Sequence, residues 1–136
     1  MNGAARMKRL VVIVDDSVSC AETLGIALES MAGVEVRILS KPGAAMALLR
    51  DAGEVAAVIT DLHLRHATGF DFIRQLRAEP RFRLLPVVMI SGDSDPGIAA
   101  RAISGGATAF FSKPYSPAAV RRKLEQLVCA SGEQML

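Results

Sequence analysis

Val11–Ser19 reads VVIVDDSVS: four branched aliphatic residues run straight into two adjacent carboxylates, Asp15 and Asp16. The aliphatic run asks for burial, whereas neighbouring like charges ask for water or a cation. Both demands are met if Leu10–Val14 is a strand covered on its two faces and the carboxylates stand just past its carboxyl end. A run that is apolar at every position, rather than at alternate ones, is the pattern of a strand inside a parallel sheet flanked by helices.

Four more segments have this character: Val34–Leu39 (VEVRIL), Val55–Thr60 (VAAVIT), Pro86–Ile90 (PVVMI) and Thr108–Ser112 (TAFFS). Helical periods lie between them. Ala21, Leu24, Gly25 and Leu28 recur at i, i+3, i+4 and i+7, and Val120, Leu124, Leu127 and Val128 mark a second stripe. Asp95-Pro96 and Ser116-Pro117 each read as a cap followed by proline at the first helical position, and Gly105-Gly106 can close the helix that starts near Pro96. Segments near Gly43–Arg50 and Phe70–Arg77 complete a (βα)5 alternation. The expected fold is therefore an open, doubly wound α/β sheet with helices on both faces. Residues 1–7 are set apart as an N-terminal extension, 8–128 as the domain and 129–136 as a C-terminal tail.

The 136 residues suit one domain, and 51% hydrophobic with 22% charged composition excludes a disordered chain. No aliphatic run approaches the ~20 residues that span a bilayer. MNGAARMKR is basic, but only five apolar residues follow it, so no signal-peptide core is present and a cytoplasmic location is expected. Cys20 and Cys129 lack metal-ligand spacing and are expected to be reduced. A net charge of +2, with only Arg121, Arg122 and Lys123 clustered, gives no nucleic-acid surface.

In open α/β sheets, ligands bind beyond the carboxyl ends of the strands. The residues there are Asp15 and Asp16, Asp61, Ser91 and Lys113, one set per strand for four of the five strands. Taken singly, each has a plain structural reading. Asp16 or Ser17 suits a helix cap, Asp61 a turn, Ser91 a satisfied hydroxyl and Lys113 a surface lysine. Together, three carboxylates, a hydroxyl and an ammonium in one crevice fit a hard cation such as Mg2+, with Mn2+ as its substitute, and a phosphoryl group. A carboxylate can attack phosphorus to form an aspartyl phosphate, a transfer that needs in-line positioning and cations on the equatorial oxygens. With Mg2+ on Asp15 and Asp16, and Lys113 and Ser91 free to contact other phosphoryl oxygens, Asp61 is left as nucleophile.

These pieces resemble the receiver domains of two-component response regulators. The match rests on VDDS, on TDLHLRHATG with Gly69 eight residues after Asp61, on MISGDS, and on GATAFFSKP, with Ser91 and Lys113 following Asp61 by 30 and 52 positions. The resemblance runs from about Lys8 to Leu127. It implies a flavodoxin-like sheet of strand order 2-1-3-4-5, with Asp61 phosphorylated. It also implies Asp16 as a direct Mg2+ ligand, Asp15 as a ligand through water, and the backbone carbonyl of His63 facing the metal. Lys113 would bind the phosphoryl group across a cis bond to Pro114, and Ser91 would follow the phosphoryl group inward. Phe110 would be the aromatic switch. The phosphodonor would be a histidine kinase or phosphotransfer protein, and a downstream protein would read the surface of the fourth helix, fifth strand and fifth helix, with a phosphorylation-dependent homodimer as a further state. The family's role is a signalling phosphoacceptor, not a turnover enzyme, without membrane or nucleic-acid contacts from these residues.

Several positions depart from the family pattern. Phe110 lacks the hydroxyl a tyrosine offers there, and Leu64-Arg65 replaces a frequent Met-Pro. His63 and Asp93 sit where receiver domains tune phosphoryl lifetime, and His63 and His66 otherwise read as solvated loop histidines. Two other functions compete. A constitutive scaffold would be expected to have lost part of the acidic set. A Mg2+-dependent phosphohydrolase usually carries its nucleophile after the first strand with another Asp two residues on, where this chain has Ser17 and Val18.

Overall fold

The computed structural model describes residues 8–134; the N-terminal extension, residues 1–7, lies outside them. The chain runs β1 (Arg9–Val14), α1 (Val18–Glu29), β2 (Val34–Leu39), α2 (Pro42–Asp51), β3 (Val55–Asp61), β4 (His63–Leu64), β5 (Ala67–Thr68), α3 (Gly69–Ala78), a 3-10 turn (Pro80–Phe82), β6 (Val87–Ser91), α4 (Ile98–Ser104), β7 (Ala109–Ser112) and α5 (Pro117–Gln134). Five strands form one parallel sheet in the order β2-β1-β3-β6-β7, while β4 and β5 pair only with each other. With that small ladder set aside, β6 and β7 are the fourth and fifth strands of the sheet, and the order is the expected 2-1-3-4-5.

The opening stretch is resolved by the way β1 divides its side chains. Leu10, Val12 and Val14 enter the core beneath α2, α3 and α4, with Leu49, Phe72, Leu76 and Ile98. Val11 and Ile13 enter the opposite core beneath α1 and α5, with Leu24, Leu28, Val120 and Leu124. Period-two alternation is hidden in the sequence because both faces are covered. Each such aliphatic contributes roughly 1.5–3 kcal/mol relative to exposure.

The edges behave differently. In β2 only Val34 is buried, and Glu35, Arg37 and Ile38 are exposed, while Val36 and Leu39 pack partly buried against the two opposite cores, so a strand read as mostly apolar is only partly covered. Charged residues on an edge strand discourage pairing with another chain. α4 starts at Ile98, two residues later than Pro96. Asp95 Oδ1 accepts the Gly97 N–H at 2.9 Å, and the Asp95 carbonyl accepts the Ile98 N–H at 3.1 Å, so Pro96-Gly97 form a turn leading into the helix. At its far end Gly105 is the C-cap and Gly106 takes a φ of 115°, a left-handed conformation that suits glycine. At α5, Ser116 Oγ accepts the Ala119 N–H at 3.2 Å, and the helix continues to Gln134, into the stretch set apart as a tail. Among the described residues no helix is long and apolar enough to cross a membrane.

Candidate functional site

β1 and β3 are neighbours at the point where the strand order reverses, and their carboxyl ends deliver Asp15 and Asp61 to the same edge. β6 ends in Ser91, whose register partner on β7 is Ser112, so Lys113 follows at the same level. Asp15 and Asp61 are each 6% exposed and Ser91 is fully buried.

Asp61 is held from two sides. Lys113 Nζ lies 2.5 Å from its Oδ2, and the His63 N–H donates to its Oδ1 at 3.2 Å. The Lys113 N–H donates to the Ser91 carbonyl at 2.8 Å, and the Lys113–Pro114 peptide bond is cis. Ser17 is the N-cap of α1 by position, but its hydroxyl caps nothing; instead its N–H donates to Asp15 Oδ1 at 2.9 Å. Burial pushes the Asp15 carboxyl above its usual range, helped by the charge of Asp61 and opposed by the Ser17 N–H and Lys113. Burial would lower the Lys113 ammonium, yet its hydrogen bond to Asp61 and the charges of Asp61 and Asp15 outweigh this and raise it.

Gly69 opens α3 against this edge. Its N–H donates to the Leu62 carbonyl at 2.7 Å, and a Cβ there would meet the Asp61 carbonyl oxygen at 2.6 Å and Leu62 Cα at 3.2 Å. The glycine lets the helix start pack directly against the backbone that carries Asp61.

Asp15, Asp61, Ser91 and Lys113 thus share one site. Asp16 stands beside them, exposed, and lines an adjoining cleft with Lys41 and Arg65. Phe110, on β7 beside Met89, is half-buried against the α2–α3–α4 core and borders a cleft of about 350 Å³ with Ile98, Asp93 and Lys113. His63 is more than a solvated loop residue: its Nε2 lies 3.0 Å from Asp93 Oδ2. Asp93 in turn donates its N–H to Ser91 Oγ at 2.9 Å. The Asp95 N–H and the His63 side chain hold the Asp93 carboxyl below its usual range. The sequence carried the signal for this pair, since both residues lie two positions past the ends of adjacent parallel strands. It carried none for Cys20 and Tyr115, which bound a cleft of about 610 Å³ on the other side of Lys113.

No three His, Cys, Asp or Glu side chains gather as a metal cage among the described residues. Two buried carboxylates at one edge nevertheless fit a hard cation that keeps most of its water and takes few protein ligands, as Mg2+ does.

The family model described as the response regulator receiver domain matches residues 11–125. The chain belongs to that family. This receiver domain is similar to the chemotaxis protein CheY homolog of Campylobacter jejuni, 24% identical over 124 residues that cover 90% of this chain and 95% of that protein. It is also similar to the response regulator protein TmoT of Ectopseudomonas mendocina, 35% identical over 108 residues, covering 78% of this chain and 46% of TmoT. Among solved structures, the chemotaxis response regulator CheY4 of Vibrio cholerae superposes with a TM-score of 0.78 at 26% identity, covering 89% of this chain and 99% of that one. A CheY-like receiver domain from Methanospirillum hungatei reaches a TM-score of 0.82 at 19% identity, with 93% and 98% covered, a likeness of fold. The chain is a CheY-like receiver domain of two-component signalling.

Proposed function

We propose that Asp61 is the phosphoacceptor of this receiver domain, taking a phosphoryl group from the phosphohistidine of a histidine kinase or phosphotransfer protein. A carboxylate oxygen of Asp61 forms the new P–O bond as the P–N bond breaks, and the leaving imidazole takes up a proton. The observation that carries this reading is the Lys113 ammonium 2.5 Å from Asp61 Oδ2, a cation already seated where phosphoryl charge accumulates.

Asp15, Asp16, Asp61 and the His63 carbonyl are the groups we assign to Mg2+ or Mn2+, and the donor chemistry of the buried pair supports that assignment. When bound, the ion supplies positive charge that neutralises two carboxylates and the incoming phosphoryl group. Ser91 is assigned a further phosphoryl oxygen. Its Oγ accepts from the Asp93 N–H and keeps its own hydrogen to donate. His63 and Asp93, bridged across the mouth of the site, are assigned the tuning of phosphoryl lifetime.

The readout we assign to Phe110 and the α4-β7-α5 surface, where a downstream protein or a second phosphorylated copy would bind. Phe110 is half-buried against the core and borders an open cleft, a placement that supports a ring able to respond to the site. Acetyl phosphate with Mg2+ tests the reading. Intact mass should rise by one phosphoryl group in the native chain and not in Asp61→Asn; no adduct on the native chain overturns the assignment.

A further inference from the structure

A second recess, of about 700 Å³, adjoins the acidic site where the β1–α1 loop, the start of α2 and the β4–β5 hairpin meet. Its lining includes Asp16, Lys41, Pro42, Arg65, His66 and Ala67. The side chains of Lys41, Arg65 and His66 are exposed and make no hydrogen bond or ion pair among the described residues. Two cationic side chains and an imidazole therefore line one concavity, with the Asp16 carboxylate at its edge.

The hairpin places two of them there. Its register, His63 with Thr68 and Leu64 with Ala67, leaves Arg65-His66 as a two-residue loop. His66 takes a φ of 67°, in the left-handed region that histidine, like asparagine and aspartate, visits more readily than most side chains. Lys41 is the N-cap of α2 and offers no side-chain acceptor, and Pro42 has no N–H, so the Gly43 and Ala44 N–H groups are uncapped at the helix start that borders the recess.

We propose that this recess binds a small organic phosphate of nucleotide size, with the phosphate on Lys41, Arg65 and the start of α2 and the apolar body against Pro42 and Ala67. A guanidinium, an ammonium and free helix N–H groups together are phosphate chemistry, and the volume lies in the range of small-molecule sites. The recess is bounded by the β1–α1 loop, the start of α2 and the β4–β5 hairpin, and its volume suits a compact anion. The proposal goes beyond the phosphoacceptor reading and does not depend on Asp61 or Lys113.

The test is titration of ADP into metal-free, 15N-labelled protein, following backbone amides. Saturable shifts are expected at residues 40, 41, 43 and 65–67. Lys41→Glu with Arg65→Glu should weaken binding by more than about tenfold, with the melting temperature and the acetyl phosphate labelling of Asp61 unchanged. Lys113→Ala should keep the binding. Absence of saturable shifts, shifts centred on Asp61 and Lys113, or indifference to the double charge reversal overturns the proposal. So does inorganic phosphate binding as tightly as ADP, which would make the recess a simple anion hole, or an oligo-glutamate peptide binding more tightly, which would make it a protein-docking surface.

Discussion

Gly69→Ala should weaken the fold and the phosphoacceptor together, and controls within the same molecule separate the cause. The new Cβ would lie 2.6 Å from the Asp61 carbonyl oxygen, 3.1 Å from Met89 Cε and 3.2 Å from Leu62 Cα. Met89 can withdraw the end of a flexible side chain, but the other two atoms are backbone, so either α3 or the end of β3 has to move. Overpacking of this kind costs about 1–3 kcal/mol. The intrinsic helical gain of alanine over glycine, at most ~1 kcal/mol, is reduced at the first helical position. A net loss of about 2 kcal/mol is expected, and for 136 residues it corresponds to a melting temperature lower by roughly 7 °C. Gly43→Ala, in α2 with nothing within 4 Å, should be neutral or slightly stabilising. Gly92→Ala, meeting Lys113 Cβ at 3.7 Å in ordinary contact, should stay within about 0.5 kcal/mol. Thermal melts of the three variants, with acetyl phosphate labelling followed by intact mass, make the assay. If Gly69→Ala melts within about 2 °C of the native chain and labels Asp61 at the native rate, the close approach does not position the acceptor.

Lys113→Met removes the ammonium from a buried carboxylate, and with it a charge-assisted hydrogen bond, so acetyl phosphate labelling should slow on the order of tenfold to a hundredfold in a stopped time course. Asp15→Asn should stabilise the metal-free fold, with a sign that pH exposes. Because burial holds the folded-state carboxyl above its ordinary 3.8, the native state binds the proton more tightly than the unfolded chain. That contribution is full below 3.8 and is lost as pH rises through the folded value. The melting-temperature gain of Asp15→Asn should therefore be absent near pH 3.8 and grow toward neutrality; on the proposed reading, added Mg2+ should raise the melting temperature of the native chain and not that of the variant. Phe72→Ala, at a ring 1% exposed between α3 and the sheet, should cost about 3–5 kcal/mol in urea denaturation, whereas Leu84→Ala, 83% exposed, should cost almost nothing.

How much the sequence discloses depends on whether a segment's surroundings repeat along the chain. Leu10–Val14 is legible because helices cover both faces and every position is apolar; Val34–Leu39 is legible as a strand, but its exposed side is not, because Glu35 and Arg37 look the same whether they face water or a partner. The β4–β5 ladder is too short to show any period, and Arg65-His66 hides its turn. Strand-end position suffices to bring Asp15, Asp61, Ser91 and Lys113 together, since parallel strands deliver their carboxyl ends to one edge. Asp16, one step further on, is exposed at the turn into α1 and also lines the neighbouring recess.

Asp15 and Asp61 are both buried at the carboxyl edge of the sheet, with one ammonium, Lys113, bonded to Asp61; burial first, and then the charge of Asp61, push the Asp15 carboxyl up. An added phosphoryl group carries about −1.5 to −2 charges, so the same ammonium meets a stronger partner further from the Asp61 backbone. On the proposed reading Ser91 follows it, but Ser91 Oγ also accepts the Asp93 N–H, and the Asp93 carboxylate is bridged to His63. Movement of Ser91 therefore pulls on the loop before α4 and on the β4 hairpin at once. On that reading, the hydrogen bonds from Ser91 to Asp93, and from Asp93 to both His63 and Asp95, link the phosphoacceptor edge to the β4 hairpin and to the turn before α4.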